Sequence, residues 1–301
     1  MDLFSESVKL SCPAKINLAL SVGAADPDDP AGRHPIASWM VAVDYSDQLT
    51  LQKKEEGEST FDIQFTDPDR SVDWPLEQDL AHRAYQLVQE HMGRQLAISA
   101  SLSKQIPAGA GVGGGSSNAA GMLVGLKMLY KLRLSNRDLF ELATTLGSDV
   151  PFAVGVMLGR TSSLVTGFGE KTQTTPVNQK VHMALVFPPF GCPTGQVYQA
   201  FDSRNKKSSR IPDEKRVKEL ASAAVVAPHA PFNDLAEPAC DVQPGLGELQ
   251  SAIAETVQRP VHITGSGSSL FVIGDDQATC QQMCAQISQS HDVPAIATST
   301  L

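Results

Sequence analysis

The segment Pro107-Ala-Gly-Ala-Gly-Val-Gly-Gly-Gly-Ser-Ser117 decides how the rest of the chain is interpreted, and five of its residues are glycine. Glycine adopts left-handed backbone conformations and lets a ligand approach without a Cβ in the way. Alternating apolar residues from Leu96 to Leu102 predict a strand before it, and the apolar run Ser117–Leu132 predicts a largely buried helix after it. Such a loop before a helix N-terminus is typical of phosphate binding, because free N–H groups and the helix dipole attract anions.

Three other interpretations of the segment fit less well. It lacks the Gly-Lys-Ser/Thr ending of a Walker A loop. It is a weak dinucleotide fingerprint, since Asp138 follows the helix and not a second strand. A mobile linker would continue into polar sequence. We therefore predict that a nucleotide's phosphates bind Pro107, Ala108, Gly109, Ala110, Gly111, Val112, Gly113, Gly114, Gly115, Ser116 and Ser117, with the Ser117 hydroxyl available to a metal ion. A Gly114→Val variant is predicted to fold but to bind the phosphates weakly.

Composition limits the class of protein. The 301 residues carry a net charge of −9, which argues against a general nucleic-acid or membrane-surface binder. Hydrophobic residues make up 42%, enough for a sizeable core. The N-terminus shows no apolar signal segment, so a cytoplasmic protein is the default expectation. The odd number of cysteines predicts free, buried thiols at Cys12, Cys192, Cys240, Cys280 and Cys284.

Alternating residues predict a strand over Val8–Val22, with one buried face and with Lys15 and Asn17 on the polar face. Pro13 suggests an edge position or a break. Strands and helices are mixed without regular alternation, which favours an α+β fold. Further strands are predicted within 36–51, 61–65, 96–102, 181–187, 261–263 and 270–273, and helices within 79–91, 117–132, 135–146 and 277–289.

Lys15 and Asp149 are candidate catalytic groups. A strand lysine is normally solvated, and an aspartate at a helix exit is usually a turn former or a cap. Together, however, a carboxylate could take the proton of an attacking hydroxyl while a lysine stabilises the transferred phosphoryl group. The turn Thr264–Ser269 is either a plain hairpin or a segment that closes on the substrate or on the glycine-rich loop.

Three motifs in this order resemble the GHMP kinase superfamily: PAKINLAL at Pro13–Leu20, IPAGAGVGGGSSNAA at Ile106–Ala120 and HITGSGSSLF at His262–Phe271. The resemblance spans nearly the whole chain. It implies a two-domain α+β fold with the active site in the cleft between an ATP-binding domain, 1–170, and a second domain, 171–301. It also implies ATP and Mg²⁺, the catalytic pair Lys15 and Asp149, and a substrate pocket containing Asn17, His34, Thr194 and Tyr198.

Within the superfamily, AKINLAL, the GGGSSNAA form of the loop and LGSDVPF at Leu146–Phe152 are similar to segments of enzymes that use ATP to phosphorylate a hydroxyl of 4-diphosphocytidyl-2-C-methyl-D-erythritol, in the non-mevalonate route to isoprenoid precursors. The resemblance implies that reaction here, and a monomer or homodimer is expected. One position departs from the family: Arg33 stands where a tyrosine is usual before His34. A guanidinium can also stack on a base, so Arg33 joins the predicted substrate residues. The alternatives are another GHMP kinase, of mevalonate, homoserine or sugar type, or a silent nucleotide-binding paralogue. Retention of both Lys15 and Asp149 favours an active enzyme.

Overall fold

A computed structural model describes residues 7–205 and 210–301. The N-terminal residues 1–6, where no signal peptide is predicted, and residues 206–209 lie outside the described residues. The chain forms two compact units: unit 1 contains 7–14, 45–108 and 113–160, and unit 2 contains 15–44, 109–112 and the described residues from 161 to 301. Both units are discontinuous because strands β1 (Ser7–Val22) and β2 (Ile36–Lys53) run through both. The sequence predicts two continuous domains, 1–170 and 171–301, and their bounds differ from those of the two units. That domain division stays a prediction.

Unit 1 packs helices against three strands of a seven-stranded sheet. Strand β4 (Ile98–Lys104) pairs in parallel with β3 (Thr60–Phe65) and antiparallel with the second half of β2. A short 3-10 helix, Leu76–Gln78, precedes the first α-helix. The four helices, which pack on one another around an apolar core, are α1 (Leu80–Met92), α2 (Gly114–Leu129), α3 (Asn136–Leu146) and α4 (Val150–Met157).

Local sequence explains most of these helix ends. Asp79 caps α1 by accepting a hydrogen bond from the backbone N–H of Ala81. Ser135, the first residue of the predicted helix 135–146, caps α3 and forms a reciprocal capping box with Asp138. Helix α2 begins at Gly114, three residues earlier than predicted, so two loop glycines lie in its first turn.

Unit 2 contains the other strands of that seven-stranded sheet, built around the shared strands, and a second sheet that is antiparallel throughout. In the first, β1 lies beside β2, and the first half of β2 pairs antiparallel with β5. The remaining strands of this sheet are β5 (Ser162–Gly167), β6 (Lys171–Thr174), which pairs with β5, and β8 (Phe232–Asn233), which runs parallel to β1. The second sheet has the order β11 (Ala295–Ser299), β7 (His182–Val186), β10 (Leu270–Gly274), β9 (His262–Ile263).

Most helices of unit 2 pack on one another, and one of them lies against the second sheet. Helix α9 (Gln277–His291) packs on three strands of that sheet, and Cys280 and Cys284 are among its buried residues. All five cysteines are free, and four of them are buried. No helix in the described ranges is both long and apolar enough to cross a membrane. The helices are α5 (Thr194–Arg204), α6 (Glu214–Ala221), α7 (Ala236–Val242), α8 (Pro244–Val257) and α9 (Gln277–His291).

Strand β1 differs from its prediction in one respect. From Cys12 onward both of its faces are buried, and even Lys15 and Asn17 are only 7% and 2% exposed. The expected polar, solvated face is therefore wrong for this half of the strand. Pro13 does not break β1, and it lies outside the short stretch at Ala19 and Leu20 that pairs with β8.

Candidate active site

Lys15 is held by a chain of three buried hydrogen bonds in unit 2. Its Nζ donates to Asn17 Oδ1 at 2.6 Å, and Asn17 Nδ2 donates to Ser38 Oγ at 2.7 Å. The Ser38 hydroxyl in turn donates to the carbonyl oxygen of Ala19 at 2.7 Å. The single hydroxyl proton of Ser38 is donated to Ala19, so the Ser38 oxygen can only accept a hydrogen bond from the Asn17 amide nitrogen. The amide nitrogen of Asn17 therefore faces Ser38, and its amide oxygen faces Lys15. The lysine ammonium group therefore has a fixed direction.

The three motifs singled out in the sequence meet in unit 2. The backbone N–H of Lys15 donates to the carbonyl oxygen of Val112 at 2.9 Å. The backbone N–H of Asn17 donates to Thr264 Oγ1 at 2.9 Å, and that of Ser269 to the carbonyl oxygen of Ala110 at 3.2 Å. Of the two interpretations left open for the turn Thr264–Ser269, the structure supports closure on the glycine-rich loop.

Two glycines permit this close approach of backbone segments. Gly111 has φ +76°, and a Cβ there would lie 2.4 Å from the carbonyl oxygen of Gly267. Gly265 has φ +60°, and a Cβ there would lie 3.2 Å from Lys15 Nζ and 3.1 Å from the carbonyl oxygen of Gly111. Both positions therefore need glycine for its backbone conformation and for its missing side chain.

In unit 1, the loop ends at the N-terminus of α2. Gly113, at φ +73°, is the N-cap, and no side chain caps this end of the helix. The first intrahelical bond is donated by the Ser117 N–H to the carbonyl oxygen of Gly113 at 2.9 Å, so the N–H groups before it lack intrahelical acceptors and are available to an anionic ligand. Ser117, predicted as a metal donor, lies in the same turn and is 2% exposed.

The two glycines of that first turn have different surroundings. A Cβ on Gly114 would lie 2.7 Å from Cγ2 of Ile106, whereas one on Gly115 would make an ordinary contact of 3.5 Å with Leu80 Cδ1. Gly115 is exposed and Gly114 is buried. A Gly114→Val variant would therefore disturb packing against Ile106, so it would not separate the loss of phosphate contact from a change in packing. Gly115 is the better place to test contact with phosphate.

Asp149 lies in the turn between α3 and α4, at the N-cap position of α4. Its side chain makes no capping hydrogen bond to that helix, so Asp149 does not act as its side-chain cap. Asp149 belongs to unit 1 and Lys15 to unit 2, and their action as a catalytic pair stays a prediction.

His34 and Tyr198, two of the predicted substrate residues, lie together in unit 2 with ring centroids 4.9 Å apart. His34 is buried, and its Nδ1 lies 2.9 Å from the carbonyl oxygen of Gly23. Since a carbonyl only accepts, Nδ1 carries a proton, and Nε2 faces Asp202 at 3.4 Å. Thr194 shares a 2.9 Å hydrogen bond with Ser266 of the C-terminal turn.

Arg33 is held by the acidic loop that precedes it. Its Nη2 donates to Asp29 Oδ1 at 2.6 Å, and its guanidinium carbon lies 4.5 Å from the ring centroid of Phe168. Hydrogen bonding to Arg33 lowers the pKa of Asp29 to about 2, so the pair stays charged at neutral pH. The sequence did not indicate Phe168 as a stacking partner, and stacking of Arg33 on a substrate base stays a prediction.

Sequence reasoning also missed the residues that support the site. Ser38 and Thr264 orient Asn17, yet each is an ordinary hydroxyl residue in a strand or turn. Asp47 and Lys104 form a buried ion pair at 2.7 Å, although both occur in segments of mixed polar sequence. The usable signal was Asn118, which directly follows the loop serines and hydrogen-bonds to both.

Comparison with known proteins agrees with this geometry. The GHMP kinases N-terminal domain family matches residues 79–155. A 4-diphosphocytidyl-2-C-methyl-D-erythritol kinase of Symbiobacterium thermophilum is 40% identical over 195 residues, 65% of this chain and 64% of that protein. The enzyme of the same name from Mycolicibacterium gilvum is 30% identical over 95% of this chain and 85% of its own length.

A crystal structure of 4-(cytidine 5'-diphospho)-2C-methyl-D-erythritol kinase covers 98% of this chain and 100% of its own, with 29% identity and a TM-score of 0.76. Fold, motif order and full-length identity therefore agree, and an ATP-dependent small-molecule kinase with an α+β fold accounts for all three. The chain belongs to the GHMP kinase family, within the group of 4-diphosphocytidyl-2-C-methyl-D-erythritol kinases.

Proposed function

We propose that this kinase transfers the γ-phosphoryl group of Mg-ATP to a hydroxyl of 4-diphosphocytidyl-2-C-methyl-D-erythritol, a step of the non-mevalonate route to isoprenoid precursors. The names of its relatives support the substrate. The observation that carries the chemistry is the direction of Lys15, which is buried, oriented by Asn17 and bonded through its backbone to the glycine-rich loop at Val112.

Phosphoryl transfer depends mainly on positioning and on charge stabilisation. The N–H groups at the start of α2 would bind phosphate oxygens. The ammonium of Lys15 would stabilise negative charge that develops on the transferred group. Asp149 would accept the proton of the attacking hydroxyl or hold that hydroxyl in place. Mg²⁺, when bound, would neutralise phosphate charge, with Ser117 as the protein donor.

The acceptor would bind around His34, Tyr198 and Thr194, with Asn17 and Arg33 completing the set. Tyr198 offers an aromatic face to a pyrimidine, and base stacking is worth about 1–3 kcal/mol. The imidazole of His34 has one ring nitrogen used by the backbone and the other beside Asp202, so a base edge would compete with that carboxylate. The cytoplasmic location and the monomeric or homodimeric state stay predictions.

A direct assay tests the substrate. ADP release is measured with Mg-ATP and 4-diphosphocytidyl-2-C-methyl-D-erythritol, and in parallel with mevalonate, homoserine and simple sugars. Turnover with the cytidyl compound supports the proposal. Turnover with one of the others alone would assign a different GHMP substrate, and ATP binding without any turnover would indicate a silent paralogue.

The phosphate assignment is tested separately by Gly115→Val. Its Cβ would project from the exposed first turn of α2 and make only an ordinary contact of 3.5 Å with Leu80 Cδ1. We expect ATP affinity to fall by about tenfold or more, since the backbone can no longer approach the phosphates. A matched control is Gly195→Val in the first turn of α5, which is also exposed, has no left-handed backbone and has nothing within 4 Å of a Cβ. If the folded Gly115→Val variant binds ATP with unchanged affinity, the phosphates do not bind at the start of α2.

A further inference from the structure

Three side chains of unit 1 form a buried polar cluster: Asp47, Lys104 and Asn118, which are 0%, 4% and 1% exposed. Lys104 Nζ donates to Asp47 Oδ2 at 2.7 Å and to Asn118 Oδ1 at 2.6 Å. Asn118 Nδ2 donates to Asp47 Oδ2 at 2.9 Å, which closes the triangle. None of these residues has a role in the proposed chemistry.

The cluster is tied to both ends of the glycine-rich loop. The second carboxylate oxygen of Asp47 accepts hydrogen bonds from the backbone N–H groups of Gln105 at 2.7 Å and Ile106 at 2.9 Å. Those residues directly precede Pro107, where the loop begins. Lys104 ends β4, and Asn118 is in the first turns of α2, where the loop finishes. One carboxylate thus connects the strand before the loop with the helix after it.

The energetics of buried charges indicate that this cluster fixes the local backbone arrangement more than it stabilises the fold. Removing two charges from water is costly, and apolar residues of similar volume often stabilise a core as well or better. Asp47 accepts four hydrogen bonds, so the backbone at Ile106 cannot shift relative to Asn118 without breaking at least one of them. A fully bonded network of this kind specifies one arrangement of the groups that it joins.

We infer that Asp47, Lys104 and Asn118 are positioning residues that hold the start of α2 against the end of β4 and thereby set the affinity for the polyphosphate of ATP. This inference rests on the proposed function, because it takes the loop as the phosphate site. The cluster acts through the backbone and does not touch the nucleotide. Its loss should therefore change ATP binding more than acceptor binding.

The principal test is Asn118→Leu, which keeps the approximate side-chain volume, removes no charge and breaks two sides of the triangle. We expect the KM for ATP to rise about tenfold while the KM for the acceptor changes less than about twofold, as for a displaced binding group. Met122→Leu is the matched control, because Met122 lies one turn further along α2, is 1% exposed and is outside the cluster. Equal KM values for ATP in the two variants would overturn the inference.

Stability is recorded by thermal unfolding, so that a folding defect is recognised. If Asn118→Leu does not fold, Asn118→Ala removes the same hydrogen bonds without added bulk and is expected to show the same selective rise. If neither variant folds, the cluster is a stability element and the inference fails. If Gly115→Val loses ATP affinity but the folded Asn118 variants do not, the phosphate assignment stands and only the cluster's role is lost. If Gly115→Val keeps its affinity, the proposed phosphate site itself fails.

Discussion

The backbone N–H of Ser269 donates to the carbonyl oxygen of Ala110 at 3.2 Å, and this bond joins the C-terminal turn to the glycine-rich loop. The same two segments approach again where Gly111 lies against the carbonyl oxygen of Gly267. The loop therefore depends on a turn that is remote in sequence, which explains why both segments are rich in glycine and small residues. A substitution in either segment should therefore change the conformation of the other segment.

Gly111→Ala is expected to destabilise the protein more than Gly109→Ala. Both glycines have left-handed backbones, at φ +76° and +70°, which costs an alanine about 1–2 kcal/mol. Only at Gly111 would the new Cβ also meet a backbone atom, the carbonyl oxygen of Gly267 at 2.4 Å. Gly109 has nothing within 4 Å, so the pair separates the backbone strain from the clash. Thermal or denaturant unfolding of the two variants measures the difference, and equal losses would contradict the close approach.

Lys15→Ala and Asp149→Asn should each lower kcat by roughly a hundredfold or more, with a much smaller effect on ATP affinity. The first removes the oriented ammonium group, and the second keeps the size of the side chain but loses its basicity. Lys9→Ala on the exposed part of β1 is the control for loss of a lysine. Steady-state ADP release gives kcat, and a near-normal value in either variant would make that residue structural.

The cysteines should be unreactive in the folded protein. Burial raises the pKa of Cys12 to about 12, with the charge of Asp47 adding to the effect, and burial raises that of Cys284 to about 12. A raised pKa means that the thiol is protonated at pH 8, where only roughly one in ten thousand would be thiolate. Iodoacetamide labelling followed by mass spectrometry should modify half-buried Cys240 first and Cys12 last. All five should react after unfolding, and rapid labelling of native Cys12 at pH 8 would contradict its burial.

Periodicity and end signals predicted the parts of the fold that depend on neighbouring residues. Strand β1, helix α1 and the capping box at Ser135 follow from alternation and from side chains that bond to nearby backbone. Helix α4 was missed because it is only 8 residues long and apolar on every side, so it has no amphipathic pattern. Helix α5 was missed because its sequence is rich in polar residues and resembles that of a loop.

The burial of Lys15 shows why the site itself was only partly predictable. Local alternation places it on a polar face, and that would be solvated if β1 stood alone. The turn that contains Thr264 and Gly265 covers this face, and such a long-range contact has no local signature. The motifs identified which residues to examine, whereas their hydrogen-bond partners, such as Ser38 and Asp47, required the three-dimensional structure.

Tyr198→Ala should raise the KM for the acceptor about tenfold and leave that for ATP nearly unchanged, since one stacking face for the pyrimidine is lost. The ring of Tyr198 lies against that of His34, which belongs to the same predicted substrate pocket. Arg33→Ala gives an informative comparison. If the guanidinium stacks on the base, its loss should raise the acceptor KM in the same way. If it only holds Asp29 and Phe168, acceptor KM should change little, and Arg33 would leave the substrate set.

Ser38→Ala tests whether the direction of Asn17 sets the direction of Lys15. The variant removes the acceptor of Asn17 Nδ2, and an unsatisfied buried donor costs about 1–3 kcal/mol. The amide can then rotate, and the 2.6 Å bond from Lys15 Nζ to Asn17 Oδ1 would no longer be enforced. We expect kcat to fall about tenfold, with the KM for ATP changed less than about twofold, because the lysine acts mainly on the developing charge.

The matched control for this prediction is Ser162→Ala. Ser162 is also a buried serine of unit 2, and its hydroxyl oxygen accepts a 2.9 Å hydrogen bond from Trp39 Nε1. Its loss should cost similar stability for the same physical reason, an unsatisfied buried donor, but it does not contact Asn17 or Lys15. Comparable thermal unfolding with a fall in kcat only for Ser38→Ala would support the orienting chain. If both variants lose the same activity, the effect of Ser38 is on stability alone, and Asn17 holds Lys15 without its help.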